Sequence, residues 1–184
     1  PTEITVLFSD LSGFTRMSEE HGAEVVTEFL NHYLTAMNET IFEHGGTIDK
    51  FIGDAIMVIF GAPKEMSREN QVKNACECAS AMQAGMVAVN KHWQAQGIEE
   101  VAMRIGVHLG DAVVGNFGSE QRVDYTAIGP CVNLASRIES VCKPGESYVS
   151  ELVSELLGDP AQTECVGDFD LKGIDGKTRL YRLA

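Results

Sequence analysis

The feature that most constrains the fold is the segment TIDKFIGDAIMVIFG, residues 47–61, in which two short apolar runs flank a Gly-Asp pair. Two such runs joined at Gly53-Asp54 are typical of a β-hairpin. Apolar residues recur at three- and four-residue spacing from Val25 to Ile41 before it, and again over residues 70–96 after it. That spacing predicts an amphipathic helix on each side of the hairpin.

The remaining apolar runs complete the order of elements. Residues 3–9 predict a core strand ahead of the first helix, and MRIGVHLGDAVVGNFG predicts a pair of strands with Gly110-Asp111 at the turn. A short helix is expected from Pro130 through Val141. The tail predicts a strand at 147–149, a helix at 151–157, and strands at 165–171 and 178–183. The order β-α-β-β-α-β predicts an α+β fold with a ferredoxin-like core and a small C-terminal α/β extension, as one domain over residues 1–184.

Composition and charge narrow the classes of function. The formal net charge of −13 argues against binding to nucleic acid or to anionic membranes, which needs a basic surface. No apolar run approaches the roughly 18 residues that span a bilayer. Five cysteines without a CxxC pair indicate idle thiols in a reducing cytoplasm rather than a zinc site. Because the chain starts at Pro1 and enters a strand directly, we expect a domain cut from a longer protein with N-terminal regulatory regions.

Two carboxylates stand where strands end. Asp10 closes the apolar run VLFSD, and Asp54 lies in the hairpin turn. The first and third strands can be neighbours in such a core, so both acids can meet at one edge, where divalent cations such as Mg²⁺ would relieve their repulsion. Residues 11–15 lead towards a helix N-terminus, whose N–H groups can bind an anion such as phosphate. From spacing alone the alternative stays open that Asp10 and Asp54 are ordinary turn residues.

Three motifs in order carry a family resemblance. They are FSDLSGFT, TIDKFIGDAIMVIFG and DYTAIGPCVNLASRIES, followed by DLKG near the end. Together they closely resemble the catalytic domain of class III nucleotidyl cyclases over about Thr5 to Leu183. The resemblance implies conversion of a nucleoside triphosphate to a cyclic nucleotide and pyrophosphate, with two divalent cations, Mg²⁺ or Mn²⁺, at each site.

The resemblance also assigns roles to individual residues. Metal binding falls to Asp10, Leu11 and Asp54. Phosphate binding falls to Lys172 in DLKG and to Arg122 in the SEQRVDY segment. The position of Ser12, Gly13, Phe14 and Thr15 before a helix adds these four residues to the expected substrate site. Base recognition falls to Lys50 and Thr126, ribose positioning to Asn133, and transition-state stabilisation to Arg137.

Chemistry supports these roles and favours ATP as the substrate. A lysine ammonium can donate to N1 of adenine and a threonine hydroxyl can accept from its 6-amino group, whereas guanine presents the reverse pattern and suits Glu. Asn133 and Arg137 are four residues apart, so they share one face of a helix. There, Asn133 can orient the ribose while Arg137 meets charge developing on the α-phosphate.

The resemblance implies a homodimer, because in this family the metal aspartates and the base, ribose and transition-state residues come from different subunits. All of them occur in this chain, which predicts two shared sites in a head-to-tail dimer. Thr126 is the residue found in a subgroup associated with bicarbonate stimulation, so a response to bicarbonate is expected.

Three alternative functions fit the sequence less well. A silent nucleotide-binding regulatory domain would usually lack a metal aspartate or the arginine, and this chain has both. A guanylyl cyclase is disfavoured by Lys50. A diguanylate cyclase or polymerase palm would need a GG[DE]EF-like turn, which FIGDAIM does not provide.

Overall fold

The structure is a computed structural model that describes residues 1–184. Its elements are, in chain order, β1 (Thr2–Ser12), α1 (Phe14–Glu43), β2 (Thr47–Ile52), β3 (Ala55–Phe60), α2 (Arg68–Gln94), β4 (Ala102–Ser119), β5 (Arg122–Ile128), α3 (Pro130–Val141), β6 (Ser147–Ser150), α4 (Glu151–Leu157), β7 (Thr163–Asp170) and β8 (Lys177–Leu183). None of the four α-helices combines the length and apolarity needed to cross a membrane.

The strands form one mixed sheet in the order β2-β3-β1-β4-β6-β8-β7, and β5 pairs only with β4. The first four strands in that order are antiparallel to their neighbours. With α1 and α2 they make the ferredoxin-like β-α-β-β-α-β core, so the predicted α+β fold is confirmed. Strand β6 adds to β4 in parallel and carries the antiparallel pair β8 and β7, which with α4 forms the C-terminal extension.

The sheet is buried on both faces. Leu7 and Leu11 of β1 pack with α1 and α2, while Ile4 and Val6, which point the other way along the same strand, pack with Cys131 of α3. This alternation follows from the two-residue period of a strand, and it requires apolar residues on both faces. The same layering places the ends of β1 and β3, and the face of α3, close to the solvent edge of the core.

The predicted turn at Gly110-Asp111 is wrong. Strand β4 runs unbroken over 18 residues, and Gly110 and Asp111 pair with Ile4 and Glu3 of β1. The chain instead reverses after Ser119 into β5, which the apolar pattern does not predict as a separate strand. Gly110 serves close packing rather than a turn, because a Cβ there would lie 3.1 Å from the Cβ of Cys131 on α3.

The first helix begins earlier than the apolar pattern indicated. Helix α1 starts at Phe14, and Gly22, with a φ of 80°, interrupts it before the apolar part that begins at Val25. The early segment is mostly polar, so its helical period is weak in the sequence. Helix α2 agrees with the prediction, and its start is set by Ser67, whose side chain accepts a hydrogen bond from the N–H of Asn70.

Candidate active site

The structure brings the carboxylate of Asp54 to the strand that carries Asp10. Strand β3 lies beside β1, and the β2–β3 turn projects Asp54 so that the N–H of Leu11 donates to its Oδ2 at 2.8 Å. The Tyr33 hydroxyl of α1 donates to the backbone carbonyl of Asp54 at 3.4 Å, which adds a second tether. Because the Leu11 side chain is buried, only its backbone is available to a ligand.

Arg104 is a charged neighbour of this acid pair that sequence reasoning missed. Its Nε and Nη2 donate to the two carboxylate oxygens of Asp10 at 3.0 and 2.9 Å. The two residues face each other across β4 and β1. The sequence does contain an indication of this residue, because Arg104 stands between Met103 and Ile105 in an otherwise apolar run. A charge within a core strand needs a partner.

A third acid lies behind the pair. Glu139 of α3 is 7% exposed, and its Oε1 has no hydrogen-bond partner. Burial, the neighbouring carboxylate of Asp10 and the charge of Asp54 together raise the pKa of Glu139 to about 9, against an opposing effect of Arg104. The nearby hydroxyl of Ser9 is also buried without a partner.

The donor set fits divalent cations. Asp10 and Asp54 offer carboxylate oxygens, the hard ligands that Mg²⁺ and Mn²⁺ take. With Glu139 they form an acid cluster, whose negative charge a cation would balance. Asp10, Asp54 and the backbone of Leu11 are therefore the residues that could hold metal.

The predicted anion site lies at the start of α1. Leu11 and Ser12 belong to β1 rather than to a loop, and Gly13, with a φ of 85°, makes the turn into the helix. No side chain caps this end, so the first N–H groups, from Phe14 and Thr15 onwards, are available to an anion.

Lys50 and Thr126 come together around an acid that sequence reasoning also missed. The Thr126 hydroxyl, on β5, donates to Oδ2 of Asp49, and the Lys50 ammonium lies 3.6 Å from Asp49 Oδ1. A register shift between Ile48 and Lys50 leaves Asp49 unpaired with β3. Because no pattern in the sequence predicts this bulge, Asp49 looks like an ordinary strand residue in the sequence.

Of the other predicted residues, Asn133, Arg137 and Lys172 have side chains without a polar partner in the chain, whereas Arg122 lies near an acid. On α3, Asn133 is exposed and Arg137 half-buried, and neither side chain has a hydrogen-bond or ion-pair partner. Lys172 is exposed between β7 and β8, also without an ion pair, and Arg122 lies 3.8 Å from Asp124 at the start of β5. None of the four forms a hydrogen bond or ion pair with Asp10 or Asp54.

A concave region of the chain lies away from these residues. It has a volume of about 670 Å³ and lies between α2, α4 and the C-terminus, with Lys73, Cys76 and Leu156 among its lining residues. None of the candidate site residues lines it. A second, smaller concave region of about 230 Å³ includes Ser12 and Gly13 at the start of α1.

Comparisons with known proteins agree on one family. The family model described as the adenylate and guanylate cyclase catalytic domain matches residues 1–184. The chain is 39% identical over 181 residues to an adenylate cyclase of Anabaena cylindrica, covering 96% of this chain and 34% of that protein. It is 38% identical over 141 residues to adenylate cyclase 1 of Rhizobium meliloti, covering 77% and 21%. The chain thus spans about a third or less of these relatives.

Solved structures share the fold over the whole chain. The adenylyl cyclase CyaB from P. aeruginosa superposes with a TM-score of 0.95 at 40% identity, covering 100% of this chain and 94% of that one. The guanylyl cyclase Cya2 superposes with a TM-score of 0.92 at 38% identity, covering 99% and 91%. Overall similarity therefore does not distinguish an adenylyl cyclase from a guanylyl cyclase.

Proposed function

The chain belongs to the adenylate and guanylate cyclase catalytic domain family, and we propose that it converts ATP to 3′,5′-cyclic AMP and pyrophosphate. ATP is favoured as the substrate because Lys50 and Thr126 lie together, both in contact with Asp49. An ammonium group only donates hydrogen bonds, which suits N1 of adenine and opposes the protonated N1 of guanine. The Thr126 oxygen can accept from the 6-amino group of adenine.

Asp10, Asp54 and the Leu11 backbone would hold two divalent cations, Mg²⁺ or Mn²⁺. When bound, such cations lower the pKa of the attacking 3′-hydroxyl and offset charge on the departing pyrophosphate. The chain's own contribution is to hold the acids in place: the N–H of Leu11 orients Asp54, and Arg104 orients Asp10. The uncapped N–H groups at the start of α1 would bind phosphate oxygens of the substrate.

Asn133 and Arg137 would act on the reacting part of the nucleotide. Their side chains lie one helical turn apart on α3 and have no partner within the chain, so both are free to bind substrate. Asn133 would orient the ribose, and Arg137 would stabilise charge that develops on the α-phosphate. Lys172 and Arg122 would bind the outer phosphates. Loss of Arg137 should therefore lower the rate more than the affinity.

A homodimer would complete each site. Large apolar side chains are exposed on β2, β4 and β5, the strands that carry or adjoin Lys50 and Thr126: Phe51, Ile52, Val113, Val123 and Ile128. Such a concentration of exposed apolar residues supports an interface between chains. We propose that the acid cluster of one chain faces Lys50, Thr126, Asn133 and Arg137 of its partner in a head-to-tail arrangement.

Two further proposals concern regulation. Thr126 motivates a response to bicarbonate, which would be abandoned if bicarbonate at constant pH and ionic strength left turnover unchanged. Since the matched relatives are much longer than this chain, we also propose that N-terminal regulatory regions control the full-length protein.

The deciding experiment is product formation from ATP and from GTP, tested separately with Mg²⁺ and with Mn²⁺ and resolved by chromatography. Cyclic AMP and pyrophosphate from ATP, with little product from GTP, is the expected result. Cyclic GMP as the main product would identify a guanylyl cyclase. No product from either nucleotide, at concentrations where the protein is dimeric, would instead support a silent nucleotide-binding domain.

A further inference from the structure

We propose that Asp49 is the positioning residue that makes the base site selective for adenine, because it sets the direction of the Thr126 hydroxyl. The proposal rests on the proposed function in one respect, that Lys50 and Thr126 contact the base. It concerns a residue that touches neither the base nor the reacting atoms and acts through its two neighbours.

The position of Asp49 is unusual for a strand residue. Successive side chains of a regular strand point to opposite faces, yet here the Asp49 carboxylate lies 3.6 Å from the ammonium of Lys50, the next residue. The register shift between Ile48 and Lys50 explains this, because a bulge re-aims a side chain. The Asp49 side chain is 1% exposed, whereas that of Lys50 is 46% exposed. The acid is therefore buried, whereas the lysine reaches solvent.

The hydrogen bond to Asp49 determines whether the Thr126 hydroxyl can donate to a ligand or only accept from it. A hydroxyl has one proton to donate and two lone pairs, whereas a carboxylate can only accept. The Thr126 proton is committed to Asp49, so the Thr126 oxygen can only accept from a ligand. The 6-amino group of adenine donates, and the 6-oxo group of guanine accepts. An adenine therefore finds a partner at Thr126, while a guanine places two acceptors against each other.

The same carboxylate also orders Lys50. Its negative charge attracts the ammonium, which without it would be a flexible, strongly hydrated group at a half-exposed position. One buried acid thus arranges a donor for N1 and an acceptor for the 6-amino group. Without it, the Thr126 hydroxyl could rotate and donate to a 6-oxo group, so discrimination between the bases should fall.

The test measures equilibrium binding of 3′-deoxy-ATP and 3′-deoxy-GTP, which lack the attacking hydroxyl and are not cyclised. The ratio of the two Kd values, with Mn²⁺ and at concentrations where the protein is dimeric, is compared for the unaltered chain, Asp49→Ala, Asp49→Asn and Glu28→Gln. Glu28 is an exposed acid of α1 without an ion pair, and it is the matched control. A purely structural role of Asp49 would weaken both analogues equally and leave the ratio unchanged.

We expect Asp49→Ala to reduce the preference for the adenine analogue by about tenfold or more, the worth of a hydrogen bond to a charged group. Glu28→Gln should leave the ratio unchanged. In a Thr126→Val background the same Asp49 substitution should change the ratio by less than about threefold, because the two residues act as one unit.

An unchanged ratio in folded Asp49→Ala would overturn the proposal, as would an unaltered chain that binds both analogues equally. If Asp49→Ala does not fold, the nearly isosteric Asp49→Asn decides instead. Its amide can accept from Thr126 or donate to it, so the ratio should fall by about threefold or more. Selective binding of the adenine analogue without cyclic AMP formation from ATP would refute the cyclase function. The role of Asp49 would still be decided by the ratio of the two Kd values.

Discussion

Arg104 holds both carboxylate oxygens of Asp10, at 3.0 and 2.9 Å, across the pairing of β4 with β1. A bidentate pair of this kind is geometrically specific as well as favourable. Asp10 is therefore oriented and its charge compensated within the chain. The fold around the acid cluster should consequently not depend on a bound cation, although the proposed reaction does.

Chelation should separate these two requirements. With excess EDTA we expect cyclic AMP formation to stop, while the midpoint of thermal unfolding changes by no more than about 2 °C, because Arg104 already offsets the charge of Asp10. Activity and circular dichroism melts, before and after addition of Mn²⁺, provide the measurement. A cooperative fall of many degrees on chelation would show that the cation is part of the folded core.

Mixing two inactive variants should restore activity. Asp10→Ala removes a proposed metal ligand, and Arg137→Ala removes the proposed transition-state residue on the facing chain. Random pairing of equal amounts makes half the dimers heterodimers, each with one intact site, so activity should recover to about a quarter of the unaltered level. The measurement is cyclic AMP formation against mixing ratio, with heterodimers confirmed by mass spectrometry. Heterodimers without activity would contradict a site shared between chains.

Reversing the charge at position 50 should reverse the base preference. Lys50→Glu replaces the proposed donor to N1 of adenine with an acceptor, and it also sets two acids side by side at positions 49 and 50. We expect the ratio of kcat/KM for ATP to that for GTP to fall by at least about 100-fold. Glu28→Gln is again the matched control, and a ratio within threefold of the unaltered value would remove Lys50 from the base site.

Gly106 lets α3 approach the sheet, and adding a methyl group there should displace the helix. A Cβ at this position would lie 2.4 Å from the backbone nitrogen of Glu139 and 2.8 Å from the carbonyl oxygen of Ala135. Because backbone atoms cannot rotate away, we expect Gly106→Ala to cost about 2–3 kcal/mol of unfolding free energy. Activity should fall too, since α3 carries Asn133 and Arg137.

Urea unfolding and cyclic AMP formation measure both effects for Gly106→Ala. Gly85→Ala is the control, because Gly85 lies within α2 and a Cβ there would meet only the Cε of Met37 on α1, in an ordinary contact at 3.5 Å. It should be neutral or more stable by about 0.5–1 kcal/mol. Gly106→Ala with unaltered stability and rate would mean that α3 is not held where the structure has it.

His108 should make stability fall in mild acid. It lies on β4 with Nδ1 2.8 Å from the Ser150 hydroxyl oxygen, and burial lowers its pKa to about 4. The unfolded chain, with a pKa near 6.5, binds a proton that the folded chain refuses between these values. The stability that the neutral His108 ring contributes to the folded chain is therefore fully present above pH 6.5, and it is lost as the pH falls towards 4.

Replacing His108 with Gln should remove this dependence. Between pH 7 and pH 4.5 we expect the unaltered chain to lose about 2 kcal/mol more unfolding free energy than His108→Gln. Urea unfolding curves at several pH values give the comparison. Parallel pH profiles for the two proteins would show that His108 is not protected from protonation in the folded state.

Local pattern was enough to predict the core of this protein. The spacing of apolar residues identified both long helices and the hairpin, and their order left the ferredoxin-like topology, in which β1 and β3 are neighbours. That neighbourhood explains why the proximity of Asp10 and Asp54 could be predicted: one ends a strand and the other occupies the adjoining turn. Lys50, Thr126, Asn133 and Arg137 were identified from motifs, and their roles stay predictions.

Tertiary structure decided what local pattern does not encode. Gly110 looks like a turn residue in the sequence, but the close approach of α3 makes it a packing position within β4. Arg104 and Asp10 are 94 residues apart, and only strand register sets them opposite each other. Asp49 is placed by a one-residue bulge that depends on how β2 fits against β3. The periodicity of apolar residues indicates which residues are buried, whereas strand register and packing determine which polar groups come into contact. The candidate site is formed by those contacts.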